Sequence, residues 1–568
     1  MKKSFRFFIT AVFMLVMGAS IFAQSHEMYL EAPTTEAVYI NRVIMGDTLA
    51  NGERADLERV YVLQRGGMWF YNGVINNPGW PIRIKAEDGD GPIPTIYGVV
   101  ETDADVVPHN FINAEESVYL TNVAINGIFD IDPSYKKFDY GAPQELIVYN
   151  ISGDYTLTAD GCIFENSTQA LLRTFEGIRS VKVTNCIFGN NGVSPYAGVG
   201  DGRAIDIRKT SCDTLLIVNN TFVNGNDRVV RHLSSTARIN NLFFEHNTVL
   251  NFGGRYGVMA MGLIGEKVSI KDNLFIDPMT FGADTAATRQ YDFGENGEPF
   301  SSEFPGKVNM AMIYSQKEDP PFGTEFEITN NYWHFTPEIT STWEQIRQFG
   351  NTTLKVPPRL TDFIASQVAD IEKAFVELTD GVEFTEAPKP MADFVYWALS
   401  PPPEGAGEGS AASGSAFKDF DRKTTVYLRD TLDCGYPTSN LAYTSAQGGY
   451  PLGDLNWFPA KKTEWEDAGG ISDVEKLDAL PTQYSLEQNY PNPFNPSTTI
   501  RFSIPEAGNA KLSIFNLLGQ EVVTVVNQEL EAGSYNYTFD ATNLASGVYI
   551  YQLKTKKIVT SKKMMLVK

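Results

Sequence analysis

The chain has 568 residues, 69 acidic and 46 basic side chains, a net charge of −23 and 12% aromatic residues. That length is too great for one compact core and predicts two or three structural units. The acidity argues against a nucleic-acid or anionic-membrane partner, both of which need a broad basic surface, but leaves room for an acidic substrate in a local basic cleft.

The chain begins MKKSFRFFITAVFMLVMGASIFAQS, with basic Lys2, Lys3 and Arg6, an apolar stretch from Phe7 to Met17, and small residues after it. This pattern predicts a signal peptide over residues 1–23, cleaved near Ser20 or Ala23. The apolar run falls short of the roughly 20 residues a membrane span needs. No transmembrane anchor is expected after signal cleavage, so the mature protein should be exported, either released or attached at the outer cell surface.

From residue 35 to 335 one pattern keeps returning: a polar residue, usually Asn, followed by an apolar pair. It appears as TNVAI from Thr121, DGCIF from Asp160, TNCIF from Thr184, NNTF from Asn219, HNTV from His246, DNLF from Asp272 and NNYW from Asn330. The recurrence is about 25 residues, with insertions in the longer gaps. Within each unit apolar residues alternate, as in VKVTNCIF and LLIVNNTFV, which is strand periodicity. Short strands with one turn residue at this repeat describe coils of a parallel β-helix, in which like residues stack at roughly 4.8 Å. Asn suits the turn because it tolerates the left-handed conformation and its amide can bond to the Asn above. A β-sandwich with Asn-rich turns is the alternative, and it leaves the period unexplained.

The four cysteines are too few for a disulfide scaffold, and Cys162 and Cys186 occupy matching CIF triplets, so stacked buried thiols are expected in place of a bridge. No zinc spacing is present. The opening RVYVLQRGGMWFYNGVINNPGWPIRIKAEDGDGPIPTI from Arg59, together with the repeats, resembles the pectate-lyase-like superfamily of right-handed parallel β-helices. That resemblance implies an all-β fold, and one fold here hosts lyases, hydrolases, esterases and noncatalytic adhesins. DGDG from Asp88 reads as a turn before it reads as a calcium loop.

Between Arg203 and Arg255 seven basic residues stand against four acidic ones, opposite to the trend of the chain. In RAIDIRKT, inward Ile205 and Ile207 would leave Asp206 and Arg208 outward and Lys209 at the strand end; in VVRHL, inward Val230 leaves Arg231 outward and turns His232 inward. Lys209 and Arg231 are separated by about one coil. The pair is similar to that of the β-helical alginate lyases and chondroitinase B, in which a lysine and an Arg-His arginine flank the sugar. β-Elimination from a uronic acid needs a base, cations to stabilise the enolate and an acid for the leaving oxygen. The resemblance implies Lys209 as base, Arg231 as acid, His232 in support, Arg203, Arg208, Arg228 and Arg255 at the substrate, and a calcium ion at Asp206. This sequence departs from those enzymes in having few nearby carboxylates and Leu233 after His232. Solvated charges on a β-helix face are the alternative. No DD pair, G-x-S-x-G elbow or P-loop supports another chemistry.

Residues 336–462 are less regular. TDFIASQVADIEKAFVELTDG predicts an amphipathic helix with Phe363, Val368, Ile371 and Phe375 on one face. SPPPEGAGEGSAASGSA reads as a low-complexity loop, and GYPLGDLNWFP as a cap or side layer. A linker is expected over 463–482.

Residues 483–568 alternate strands with Pro-Asn, Ala-Gly and Leu-Gly turns, about seven strands in a small β-sandwich. QNYPNPFNPSTTI, NLLGQEV, ASGVYIYQL and the basic end resemble the C-terminal sorting domain of the type IX (Por) secretion system. That implies the type IX machinery as a partner and a destination outside the outer membrane. Two functions stay open: a lyase acting on an acidic polysaccharide, or a noncatalytic glycan-binding or adhesive surface protein.

Overall fold

The computed structural model describes residues 26–33, 38–99, 108–127, 143–192, 202–208, 210–232, 234, 237–254, 257–280, 313–315, 324–349, 360, 362–400, 431–470, 485–486, 488–489, 492–504, 508–517, 519–530, 533–542 and 544–567. The predicted signal peptide, Lys209, Arg255, Leu233, most of the low-complexity run and most of the predicted linker lie outside them.

The fold is all-β: a right-handed parallel β-helix followed by a small β-sandwich. Strands repeat in threes along the chain, and each pairs in parallel with the equivalent strand of the next coil, building sheets of ten, ten and eight strands among the described residues. The first sheet runs from Glu27–Leu30 through Ile178–Thr184 and Cys212–Val218 to Glu325–Thr329. The second includes Ile163–Glu165, Ile187–Asn191 and Thr221–Gly225, and the third Ala170–Thr174, Arg203–Arg208 and Val230–His232. The β-helix thus extends beyond both expected boundaries, with a first strand before residue 35 and its last strand at Phe375–Glu377.

Alternation places Val181 and Val183 inward, with Leu215 and Ile217 directly above them. In the second sheet Phe164, Phe188 and Phe222 are in register, and their rings stack at 5.2 and 4.8 Å. Each buried ring removes enough apolar surface from water to contribute about 2 kcal/mol. All four cysteines are free and buried, and the Cys162 N–H donates to Cys186 Sγ one coil above at 3.4 Å.

The recurring polar residue makes the turn from the first sheet to the second. Asn122, Asn185, Asn219, His246, Asp272 and Asn330 all have φ between +50° and +59°, the left-handed region that Asn, Asp and His enter most readily. Gly161 takes the same place at φ +62°, and a Cβ there would stand 2.1 Å from Asn122 Oδ1, so a larger residue would have to displace the Asn122 amide. The next residue forms an internal ladder. Asn220 Nδ2 donates to Asn247 Oδ1 at 3.0 Å, Asn247 to Asn273 at 3.1 Å, and Asn273 to Asn331 at 2.7 Å. A second left-handed column, Asn166, Asn190, Asn224, Asn251 and Asp277, turns the chain out of the second sheet.

The amphipathic helix expected over 361–381 is broken. Asp362–Gln367 and Ile371–Ala374 are short helices, and Phe375–Glu377 is a strand in register with Asn331–Trp333. The open edge of the second sheet takes up Phe375 as a strand residue, which overrides the helical spacing. Helices Pro337–Ile346 and Ala392–Leu399 contribute Trp343 and Phe394 to the core at this end of the coils.

Residues 431–470 lie as a side layer on the second sheet. Leu432, Cys434, Tyr436 and Leu452 pack on outward Val223, Leu250, Leu274 and Ile276. Buried Asp454 accepts from Thr221 Oγ1 at 2.7 Å, its N–H donates to Thr248 Oγ1 at 3.0 Å, and Trp457 Nε1 donates to Thr221 at 2.8 Å. The helix Pro459–Asp467 reaches into the expected linker and buries Trp465 edge-on to His246 at 5.0 Å. DGDG is an exposed turn with Gly89 and Gly91 at positive φ.

The C-terminal unit has seven antiparallel strands among the described residues, in sheets of three and four that enclose one core including Phe502, Ile514, Tyr551 and Leu553.

Candidate functional site

The charges of the basic window divide between faces. Asp213, Arg238 and Glu245 belong to the first sheet, whereas Arg203, Asp206, Arg208, Arg231 and His232 belong to the third. On the third sheet the register stacks Val148, Arg173, Asp206, Arg231 and Ala260 in one row across five coils. Arg231 therefore stands one coil above Asp206 and two above Arg173.

Asp206 is fully buried. Its Oδ2 accepts from Arg173 Nε at 3.0 Å and lies 3.7 Å from Arg231 Nη1, while its Oδ1 accepts the Arg208 backbone N–H at 3.0 Å. Burial opposes its charge, but Arg231, Arg173, Arg203 and Arg208 outweigh that and bring its pKa down to about 2. Arg173 also pairs with Glu145 through Nη1, and burial raises the Glu145 carboxyl. Beside this row Asp227 takes Arg203 Nε at 3.2 Å and Arg228 Nε at 3.1 Å.

Five guanidiniums (Arg173, Arg203, Arg208, Arg228 and Arg231) thus surround three carboxylates (Glu145, Asp206 and Asp227). Arg231 is 12% exposed at its side chain, and burial together with Arg203 lowers its pKa to about 10. Arg228 is 1% exposed, which places it inside the network and away from a polymer on the surface. Arg173 Nη2 and Arg231 Nε are buried without a hydrogen-bond partner among the described residues.

His232 is fully buried. Its Nδ1 accepts the Gly262 N–H at 3.1 Å, so Nε2 carries the proton and donates to the Thr210 carbonyl at 3.0 Å. Burial lowers its pKa to about 4, so it is neutral near pH 7 and has both nitrogens occupied.

The donor set around Asp206 does not fit calcium, which takes 6–8 oxygen ligands. An ion at Oδ2 would meet the guanidiniums of Arg173 and Arg231, and no group of three or more His, Cys, Asp or Glu able to hold a metal occurs among the described residues. Asp206, expected as a metal ligand, stands instead as the counter-ion of the arginines.

The structure therefore brings Arg203, Asp206, Arg208, Arg228 and Arg231 together, with His232 beneath. Reading the sequence missed Glu145, Arg173 and Phe175. Their signal was there, since ALLRT and RAIDIR share one alternation and stack as neighbouring strands. Phe175 is 40% exposed, with Arg173 Cζ 5.5 Å and Arg208 Cζ 5.6 Å from its ring centre.

The fold and this face define a parallel β-helix protein with a cationic cluster on one sheet. Residues 488–568 match the family model described as the secretion system C-terminal sorting domain. That domain marks a type IX-secreted protein, released or held at the outer cell surface, and no helix among the described residues is long and apolar enough to cross a membrane. None of the curated proteins matches the chain.

Proposed function

We propose that this secreted β-helix binds an acidic polysaccharide on the outer face of its third sheet. The carrying observation is the imbalance of that cluster: five guanidiniums against three carboxylates, with part-exposed Arg208 and Arg231 at its surface. Such a surplus favours an anion, and guanidinium forks match carboxylate and sulfate oxygens. A chain of net charge −23 repels polyanions elsewhere, so the cluster would also orient them.

β-Elimination by Lys209 and Arg231 is a second reading, supported by the register. Among the described residues Asp206 pairs with Arg231 and Arg208 with His232, so the strand that leads to Lys209 and the Arg231-His232 step lie on neighbouring coils. The lowering of Arg231 is the direction that an acid for the leaving oxygen requires. His232 supports either reading only by packing.

The test is to incubate the secreted chain with alginate, pectate and chondroitin, with and without calcium, measuring binding and ultraviolet absorbance of unsaturated uronate together. Salt-sensitive binding without new absorbance supports noncatalytic recognition. A rise in absorbance that disappears in Lys209→Ala and Arg231→Ala establishes elimination. No binding to any acidic polymer would overturn both readings.

A further inference from the structure

The third sheet carries an exposed aromatic side chain, Phe175, that belongs to neither the ion pairs nor the core among the described residues. Phe175 follows Thr174, which pairs with Tyr149 in the coil below, and its N–H donates to the Tyr149 carbonyl at 2.7 Å. Its neighbour in that coil is exposed Asn150, the end of an amide ladder in which Asn113 donates to Asn76 at 2.8 Å and Asn150 to Asn113 at 2.6 Å. Its neighbour in the coil above is Arg208. Along the solenoid the surface thus changes from amides, through an exposed aromatic ring, to a guanidinium.

Arg208 is held unusually. It has φ +43°, the one arginine in the left-handed region among the described residues, and the register shifts between Asp206 and Arg208. Non-glycine residues in that region cost energy and persist where the surroundings impose them, often at binding sites, and bulges re-aim side chains. Here the bulge and the bond from the Arg208 N–H to Asp206 Oδ1 accompany the placement of the guanidinium over Phe175.

We infer that Phe175 and Arg208 form a subsite for one anionic pyranose: the sugar stacks its C–H face on the Phe175 ring, and its acidic substituent meets Arg208. The inference rests on the acidic-polysaccharide reading and names its recognition element. The negative face of an aromatic ring attracts the weakly positive C–H groups of a sugar. The guanidinium 5.6 Å from the ring centre supplies a forked partner for a carboxylate or a sulfate ester. The Asn150 amide lies on the opposite side, suited to hydroxyls of the preceding sugar.

The experiment measures affinity of the full secreted chain for defined oligouronates and for sulfated oligosaccharides of equal length, alongside a carboxyl-reduced neutral control. Phe175→Ala and Phe175→Leu should each weaken binding about tenfold, Phe175→Trp should retain it with ligand-dependent fluorescence, and Arg208→Gln should abolish the preference for acidic over neutral sugar. Circular dichroism and melting of each variant separate lost binding from lost folding, and Phe175→Leu keeps the apolar cover over Arg173. Preference between the carboxylate and sulfate series identifies the anion. Wild-type binding that survives unchanged in both Phe175→Ala and Phe175→Leu would overturn this subsite while leaving the acidic-glycan reading intact. Absence of wild-type binding to either series would overturn both.

Discussion

Asp206 Oδ2 accepts from Arg173 Nε at 3.0 Å and lies 3.7 Å from Arg231 Nη1, so one buried carboxylate joins strands of three successive coils. Asp206→Asn would leave both guanidiniums buried without that charge. It should destabilise the β-helix by about 3–5 kcal/mol at pH 7, read from denaturant unfolding. The folded pKa, about 2, lies below the ordinary value of 3.8, so the carboxylate's contribution is complete above 3.8 and is lost as pH falls toward 2. The gap between variant and wild type should narrow by about 2 kcal/mol over that window. An equal gap at pH 7 and pH 2 would show that Asp206 acts without its charge.

His232 should titrate at about 4, not near 6.5, when followed by its imidazole nitrogen resonances, because burial opposes the imidazolium. Since the folded value is depressed, its contribution to stability is present above 6.5 and is lost as pH falls from 6.5 through 4. A pH profile of binding or turnover with an inflection near 6.5 that disappears in His232→Gln would contradict this placement.

The side layer carries the opposite dependence. Burial raises Asp454 to about 7, although Asn456, Thr221 and Lys462 partly offset it. With the folded value above 3.8, the favourable contribution belongs to the protonated form, is complete below 3.8, and is lost as pH rises through 7. Hydrogen exchange over residues 431–470, corrected for intrinsic rate, should therefore speed up between pH 5 and pH 9. Asp454→Asn should flatten that change.

Asn247 occupies a middle rung of the inner ladder. Its Oδ1 accepts from both the backbone N–H and Nδ2 of Asn220, and its Nδ2 donates to the Ile217 carbonyl. Asn247→Ala leaves these groups buried and unpaired at roughly 1–3 kcal/mol each, so the urea midpoint should drop clearly. Substitution at exposed Asn150 should leave the midpoint nearly unchanged.

The β-helix was legible because its turns demand a residue type: Asn185, Asn219, His246 and Asp272 occur at a coil's interval, and all have positive φ. The second column, Asn190, Asn224, Asn251 and Asp277, had the same interval and went unread because its members lie within or directly after strands that also look regular. The candidate site was only half legible. Counting charges between Arg203 and Arg255 found the arginines, but Glu145 and Arg173 reach them only through coil stacking. Arg238, close in sequence, faces another sheet. Around Phe375 the helical spacing misled, since an open sheet edge outweighs propensity over a few residues.

The side layer on the second sheet also sets an order of events. Val223, Leu250 and Leu274 sit on the outside of middle coils, yet their cover begins at Leu432, and contacts such as Thr221 to Asp454 span 233 residues. Ribosomes deliver the coils first and their cover much later, and long-range closure of this kind is slow. Until then the nascent solenoid presents an apolar stripe to water, and a chain cut before residue 431 keeps it. Completion of the outer packing of the β-helix thus waits on residues that come after its last coil.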